Sequence, residues 1–244
     1  SIGSVRRCGY QIRSKVEGCS RTDRGVHARC LMATVSCEDE SEAKKLPLDG
    51  DLKKLVHVLN RMLPFDVRVM NGSLLPSPTF HPSLDVTTKT YRYSFAVPSS
   101  KSKSSGSGVL FDPLQARHQW QIEHGTHGQT FNAEAANDVL QALVGTHNFV
   151  HLCGSYRGSE RKEKGSKHSN TICTLQEATL ECEGGWASNP APMINDGSFE
   201  LPRNRCFGGD GAAVGYAITV TGDRFLYKMC RYIAGIVISA GYGG

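Results

Sequence analysis

Residues 18–28 read GCSRTDRGVHA, a stretch that holds one carboxylate among cations and a glycine. Asp23 lies between Arg21 and Arg24, and opposite charges this close favour the ionised form of a carboxyl group. Gly25 permits a tight turn with a positive φ angle. We therefore expect a rigid loop that presents the Asp23 carboxylate on a basic surface. There it serves either a structural salt bridge or catalysis, as a nucleophile or base.

Outward from this loop, hydrophobic periodicity predicts the regular elements of the chain. Strands are predicted at residues 10–18, 28–37, 66–75, 86–97, 171–182 and 214–221. Helices are predicted at residues 51–62, after a capping Asn132, and at residues 223–240. Because the strands and helices follow one another without a regular βαβ alternation, the pattern favours an α+β fold.

Two stretches of biased composition divide the chain. Residues 99–108 read SSKSKSSGSG, which is typical of a flexible linker or loop. Residues 184–211 carry six glycines and three prolines without a helical or strand period, which predicts a long loop. We expect an N-terminal half at residues 1–98, a Ser/Gly-rich linker or loop at 99–111 and a C-terminal half at 112–244.

The composition of the 244 residues excludes several classes of protein. Hydrophobic residues make up 39% of the chain, enough for a buried core, so global disorder is excluded. The longest apolar run, residues 232–238, is far shorter than the roughly 20 residues of a membrane span. Nine cysteines without a C-x-x-C pair argue against a zinc site and a secreted disulfide framework. We expect reduced thiols in an intracellular protein, in the cytoplasm, the nucleus or an organelle.

The positive charge of the chain is concentrated at its N-terminal end. Residues 1–30 contain seven Arg or Lys residues against two acidic ones, while the remaining residues balance to zero net charge. A local excess of this kind is either a solvated basic face or an electrostatic footprint for a polyanion such as a nucleic acid.

Two further patterns each allow a structural and a functional interpretation. Arg224, Lys228 and Arg231 recur at helical spacing, so on the predicted last helix they form either a solvated face or a phosphate contact. Tyr91 and Tyr93 share one face of a predicted strand, where their rings either pack in the core or stack on a base.

The histidines and glycines give no sign of a metal or a nucleotide cofactor. His27, His81 and His147 each lie near a predicted turn. Only His147 has a second histidine four residues away, His151, and these two do not lie on a predicted helix, where that spacing would put them on one face. The glycines of residues 208–211 do not lie between a strand and a helix, as a dinucleotide loop requires. We therefore expect neither group.

Four segments together resemble the TruA family of tRNA pseudouridine synthases. The loop RTDRGVHA at residues 21–28 is similar to the family's G-R-T-D-x-G-V-H-A motif. FLYKMCRYIAG at residues 225–235 is similar to its F-L-x-x-M-x-R-x-I-x-G motif. YRY at 91–93, preceded by Phe-His at 80–81, and LVGTHNF at 143–149 match two more segments in the family's order.

The resemblance implies an activity and a set of site residues. Uridine would become pseudouridine in tRNA, in or near the anticodon stem-loop: the C1′–N1 bond breaks, the base turns, and a C1′–C5 bond forms. Asp23 is implied as the nucleophile, Tyr91 as the ring that stacks on the flipped uracil, and Arg231 as the partner of Asp23. RNA contacts are expected from Arg21, Arg24, His27, Arg224 and Lys228.

The resemblance also implies a fold and partners. The fold would be a mostly antiparallel mixed sheet flanked by helices, with a central RNA-binding cleft. The partners would be tRNA and a second copy of the chain in a homodimer, with no cofactor, metal or membrane.

Some departures from the family pattern bear on these expectations. Ser20 stands where the family has glycine, and Pro82 and Ser83 stand where it has Ala-Arg, which predicts weaker RNA contacts or a shifted target. The first strand and the C-terminal segment of the family are unmatched, so we expect a fragment. Two other functions stay open: a catalytically silent RNA-binding or RNA-chaperone module of the same fold, and a structural protein.

Overall fold

The computed structural model describes seven parts of the chain, residues 14–20, 22–37, 47–98, 115–122, 130–154, 170–184 and 213–244. The chain divides into two compact units, residues 1–86 and 87–244. The predicted Ser/Gly-rich segment 99–111 falls within the range of the second unit and lies outside the described residues. Residues 185–211 of the predicted long loop lie outside them as well.

The first unit contains a β-hairpin and one amphipathic helix. Strands β1 (Ser14–Gly18) and β2 (Ala33–Cys37) pair antiparallel, with Gly18 opposite Ala33. Both predicted strands are confirmed over these residues, although residues 28–32 before β2 are irregular. A 3-10 turn at Pro47–Gly50 precedes helix α1 (Leu52–Met62).

Helix α1 begins and ends where its sequence predicts. The side chain of Asp51 caps it by accepting a hydrogen bond from the backbone N–H of Lys54, at 2.9 Å. Leu63 follows in an extended conformation, as expected for a residue that precedes a proline such as Pro64. The prediction of a helix at residues 51–62 is therefore confirmed.

The predicted strand at residues 66–75 is wrong, since this segment is irregular. Asn60 on helix α1 supplies the physical reason. Its Nδ2 donates to the carbonyl oxygen of Val69 at 2.9 Å, and its Oδ1 accepts from the N–H of Val69 at 2.7 Å. A side-chain amide thus takes the two backbone groups that a neighbouring strand would have bonded.

The second unit is built on a five-stranded mixed sheet. Its described strands lie in the order β4-β3-β7-β6-β5, and among these only the β3–β4 pair is parallel. The sheet comprises β3 (Lys89–Pro98), β4 (Gln119–Gln121), β5 (Gly145–Asn148), β6 (Ile172–Gly184) and β7 (Ala213–Gly222). The expectation of an α+β fold with a mostly antiparallel mixed sheet is confirmed.

The described part of this unit also contains two α-helices, α2 (Ala133–Ala142) and α3 (Met229–Gly241). They pack against each other, and their buried side chains join those of β3 and β7 in one hydrophobic core. Leu140 of α2, Ile233 of α3 and Phe95 of β3 belong to that core, and all three are fully buried. No helix among the described residues is both long and apolar enough to span a membrane.

The last helix begins six residues later than predicted, at Met229 instead of residue 223. The segment 223–228, which we call the connection, is non-helical and joins β7 to α3. Lys228 precedes the helix in a left-handed conformation, with a φ angle of 60°. Arg224 and Lys228 therefore do not share a helical face with Arg231, and the predicted basic stripe is wrong.

Candidate active site

The RTDRGVHA loop is the tip of the β-hairpin in the first unit. The backbone N–H of Cys19 donates to the carbonyl oxygen of Met32 at 2.9 Å, which extends the β1–β2 ladder into the loop. Farther out, the N–H of Val26 donates to the carbonyl oxygen of Asp23 at 3.2 Å and closes a tight turn. Asp23 is the first residue of this turn, and its side chain is exposed.

Gly25 gives the turn its shape. Its φ angle is +82°, a value that side-chain-bearing residues rarely adopt, whereas a Cβ atom there would meet no neighbour within 4 Å. A glycine is thus favoured here by the backbone conformation, and not because a larger side chain would lack room. The predicted rigid turn carrying a carboxylate is present.

Two of the three predicted basic residues of the loop lie in the described part of the chain. Arg24 and His27 are exposed on the same loop as Asp23. Arg21 lies outside the described residues. Arg24 and Arg29 add two positive charges close to the Asp23 carboxylate, so the described part of this loop carries both signs of charge with a positive excess.

A second group of charged residues lies at the base of the hairpin. Glu17 on β1 lies 3.0 Å from the Nζ atom of Lys15 and 3.3 Å from the Nε2 atom of His81. The hydrogen bond from Lys15 is the main cause that lowers the pKa of Glu17, and His81 adds to it. Sequence analysis missed Lys15 and Glu17, although their alternate positions on a predicted strand put them on one face.

The Phe-His segment is anchored to this group. The backbone N–H of Ser83 donates to Nδ1 of His81 at 3.3 Å, so the proton of a neutral ring lies on Nε2, facing Glu17. The N–H of His81 donates to the carboxylate of Asp85 at 2.6 Å, and Pro82 is buried. Ser83, one of the residues that depart from the family pattern, therefore helps to hold His81 in place.

In the second unit, Tyr91 lies on β3 with its ring toward the core side of the sheet. The ring is half-buried and meets that of Phe225 edge-on, with centroids 4.7 Å apart. Arg92 points to the opposite face, where it pairs with Glu181 and Glu183 of β6. These ion pairs, Glu183 above all, raise the pKa of Arg92. The predicted alternation of this strand is confirmed.

Arg231 lies near the aromatic face of β3. It is exposed in the first turn of α3, and helix α3 packs against β3. Burial raises the pKa of Tyr93, and the nearby positive charge of Arg231 partly offsets this effect. The second unit thus brings together Arg231 and the strand face that carries Tyr91 and Tyr93.

The other two predicted cations have different surroundings. The guanidinium of Arg224 donates to the backbone carbonyl oxygens of Asn170 and Ile172. Lys228 is exposed, with its Nζ atom 5.3 Å from the centre of the Tyr227 ring. Among the described residues, no group of three His, Cys, Asp or Glu side chains could hold a metal ion.

Comparison with known proteins supports the same assignment that the motifs suggest. Residues 139–244 match the model of a family described as tRNA pseudouridine synthase. The matched part contains Arg231, the connection and the LVGTHNF segment, whereas Asp23 and Tyr91 precede it.

Curated relatives extend the likeness to most of the chain. A tRNA pseudouridine synthase A of Clostridium acetobutylicum is 26% identical over 93% of this chain and 67% of its own length. The enzyme of the same name from Chlorobium limicola is 25% identical over 91% of this chain and 65% of its own length. A Xenopus laevis protein named tRNA pseudouridine synthase-like 1 is 29% identical over 92% of this chain and 62% of its own length.

The chain therefore spans about two thirds of the length of these pseudouridine synthase relatives. The names and the coverage bear out the resemblance to the TruA family predicted from the four motifs.

Proposed function

We propose that this chain is a tRNA pseudouridine synthase that isomerises uridine in or near the anticodon stem-loop, with Asp23 as its nucleophile. The observation that carries the proposal is the exposed carboxylate held at the tip of the RTDRGVHA hairpin by the turn at Gly25. The likeness to relatives named tRNA pseudouridine synthase A supports the choice of reaction and substrate.

The proposed reaction uses a carboxylate, and because it is an isomerisation, the product contains every atom of the uridine. Asp23 attacks the sugar or the base, the C1′–N1 bond of the uridine breaks, and the uracil turns while it is held. A C1′–C5 bond then forms, Asp23 leaves, and the proton on C5 moves to N1 by way of a base. An ionised carboxylate suits the first step, because a protonated one is a poor nucleophile.

Tyr91 is proposed to stack on the target uracil and to take part in removing the C5 proton. Flipping a uridine out of its stack costs a few kcal/mol, and stacking on an aromatic ring returns about 1–3 kcal/mol of that cost. The edge-on contact with Phe225 supports this role, because it restricts the Tyr91 ring before RNA arrives. Arg231 is proposed as the cation that balances the charge of Asp23.

Binding of tRNA is proposed to depend on the basic N-terminal region. Arg21, Arg24 and His27 lie in that region, and phosphate attraction of this kind weakens steeply as salt rises. A protein that modifies tRNA acts inside the cell, which agrees with the expected reduced cysteines. A homodimer of this chain stays a prediction that sedimentation equilibrium tests.

The decisive experiment compares wild type with Asp23→Asn on unmodified tRNA transcripts. Pseudouridine is mapped by chemical modification and primer extension, and tRNA affinity is measured in parallel. We expect Asp23→Asn to lower the rate at least about a thousandfold while it still binds tRNA, because the nucleophile alone is lost. Asp66→Asn, which changes another exposed carboxylate of the first unit, should keep wild-type activity.

The same experiment separates the alternatives. Equal activity of wild type and Asp23→Asn would show that Asp23 is not the nucleophile. Binding without product in wild type would favour the silent RNA-binding module. Lack of binding even at low salt would rule out an RNA function and leave a structural protein.

A further inference from the structure

We infer that Arg224, together with Asp223, is a positioning residue that locks the connection 223–228 and thereby sets Tyr91 and Arg231 for catalysis. This inference rests on the proposed function. It replaces the expectation that Arg224 contacts RNA.

Asp223 binds the start of the connection to strand β6. Its backbone N–H donates to the carbonyl oxygen of Thr174 at 3.1 Å. Its carboxylate accepts from the N–H of Thr174 at 2.9 Å and from the N–H of Arg224 at 2.7 Å. Three hydrogen bonds therefore fix the residue at which the chain leaves β7.

Arg224 adds a side-chain fork to the same anchor. Its Nη2 atom donates to the carbonyl oxygen of Asn170 at 2.7 Å, and its Nε atom donates to that of Ile172 at 3.2 Å. Nη2 also donates to Ile172. A planar guanidinium can satisfy both carbonyls at once, whereas a lysine ammonium would lose this fork geometry. We call this group of hydrogen bonds from Asp223 and Arg224 the latch.

The residues that follow the latch contact Tyr91 and lead into the helical turn that carries Arg231. Phe225 touches the ring of Tyr91, with centroids 4.7 Å apart, and Leu226 is buried in the core. The N–H of Arg231 donates to the carbonyl oxygen of Lys228 at 2.9 Å in the first turn of α3. A shift of the connection would therefore move the support of Tyr91 and the base of Arg231 together.

The connection also holds an unfavourable backbone conformation. The left-handed region is unfavourable for a residue other than glycine, and Lys228 adopts it with a φ angle of 60°. Gly154 packs directly on this turn: its N–H donates to the carbonyl oxygen of Tyr227 at 2.8 Å, and a Cβ atom there would lie 3.0 Å from the Tyr227 ring. Such a conformation persists only where surrounding structure holds it, and the latch is part of that support.

A phosphate contact and a latch make different demands on Arg224. A phosphate-binding arginine directs its N–H groups outward, and its loss weakens RNA binding and lowers the salt dependence. Arg224 instead directs Nε and Nη2 at backbone carbonyls of its own unit. Its loss should therefore lower the rate of the chemical step and leave the affinity for tRNA nearly unchanged.

The test compares wild type, Arg224→Ala and Arg224→Lys in single-turnover rate, tRNA affinity and salt dependence of that affinity. We expect Arg224→Ala to lower the rate at least about tenfold, with affinity and salt slope within about twofold of wild type. The rate of Arg224→Lys should lie between those of wild type and Arg224→Ala, because a lysine can keep one of the hydrogen bonds. Arg68→Ala is the matched control: Arg68 also donates to backbone carbonyls, but in the first unit, and its loss should leave the rate unchanged.

A second measurement follows the site without requiring activity. Fluorotyrosine placed at position 91 reports the surroundings of the Tyr91 ring by fluorine NMR. The signal should shift or broaden in Arg224→Lys and in Arg224→Ala, and it should stay unchanged in Arg68→Ala. Arg224→Lys keeps the test decisive if Arg224→Ala fails to fold.

Two results would overturn the inference. Weaker tRNA binding with a salt slope reduced by about one, at an unchanged rate, would make Arg224 a phosphate contact. Wild-type values in every measurement, including the fluorine signal, would remove any role for the latch. If wild type itself makes no pseudouridine, the proposed function fails, and the fluorine signal still decides whether the latch positions Tyr91.

Discussion

Gly241, at the end of helix α3, allows that helix to approach the segment before α2. A Cβ atom at Gly241 would lie 2.1 Å from the Cε2 atom of Phe131, far inside the contact distance. The Phe131 ring cannot simply move aside, because it also packs edge-on against Phe95 and Tyr242. The absence of one side chain therefore sets how closely these two parts of the core meet.

We predict that Gly241→Ala lowers the free energy of unfolding by about 2–3 kcal/mol, as overpacking does in a dense core. Urea unfolding followed by circular dichroism measures the change. Gly235→Ala is the matched control in the same helix: its Cβ atom would meet nothing within 4 Å, so alanine should stabilise the helix by up to about 1 kcal/mol. A stability of Gly241→Ala equal to that of wild type would contradict this account of the contact.

Glu17 makes stability depend on pH in the acid range. Lys15 first, and His81 next to it, lower the pKa of Glu17 below its ordinary value of 4.5. A carboxyl group with a lowered pKa in the folded state stabilises the protein above the unfolded pKa. That stabilisation is lost as the pH falls through the lower folded value.

We predict that Glu17→Gln makes the protein less stable than wild type near neutral pH, and that the difference shrinks as the pH falls below 4.5. Urea unfolding at a series of pH values measures this. Glu177→Gln, at an exposed position of the second unit, should leave the pH dependence as it is in wild type. If the free energies of unfolding of Glu17→Gln and wild type differ by the same amount at every pH, the prediction is wrong.

At the scale of elements, Asn132 joins the ends of two helices. Its Oδ1 atom accepts from the N–H groups of Glu134 at 3.0 Å and Ala135 at 3.2 Å and so caps helix α2. Its own N–H donates to the carbonyl oxygen of Gly241 at 2.7 Å, at the last turn of α3. The predicted cap is confirmed, and the structure adds the bond to the second helix.

We expect Asn132→Ala to cost about 1–2 kcal/mol of stability, because the cap is lost and two N–H groups at the start of α2 lose their acceptor. Asn132→Asp should stay close to wild type, since a carboxylate accepts the same bonds and favours a helix N-terminus. Thermal unfolding of the three proteins measures the difference. The idea fails if the alanine and aspartate variants are equally stable.

At the scale of the whole molecule, the hydrophobic core formed by the described residues lies in the second unit. All members of the core cluster, from Phe95 to Tyr242, lie within residues 87–244. In the described part of residues 1–86, only Thr34 and Pro82 are buried, while Phe65 is 89% and Met70 83% exposed. Since burial of apolar surface is the main stabilising term, stability should be divided unequally between the units.

We predict that residues 87–244, expressed alone, unfold in urea in one cooperative transition, and that residues 1–86 alone show none. Circular dichroism and tryptophan emission should give coincident curves for the larger fragment. A sigmoidal transition in the smaller fragment, or its absence in the larger one, would contradict this distribution of the core.

Local patterns predicted much of the fold and part of the site. Helix α1 lies where Asp51 and Pro64 bound it, and the alternation of β3 put Tyr91 and Arg92 on opposite faces. The turn at Gly25 was also expected from its neighbours alone. The spacing of hydrophobic residues, caps and turn glycines carries this information, because each acts over a few residues of chain.

The tertiary structure alone decided which backbone groups form hydrogen bonds with side chains that are distant in the sequence. Asn60 occupies the N–H and carbonyl of Val69, so the segment predicted as a strand is irregular. Asp223 and Arg224 bond to β6, about 50 residues earlier in the chain, and delay the start of the last helix to Met229. The competition for a backbone group depends on which side chain comes close in space, and no periodicity in the local sequence records it.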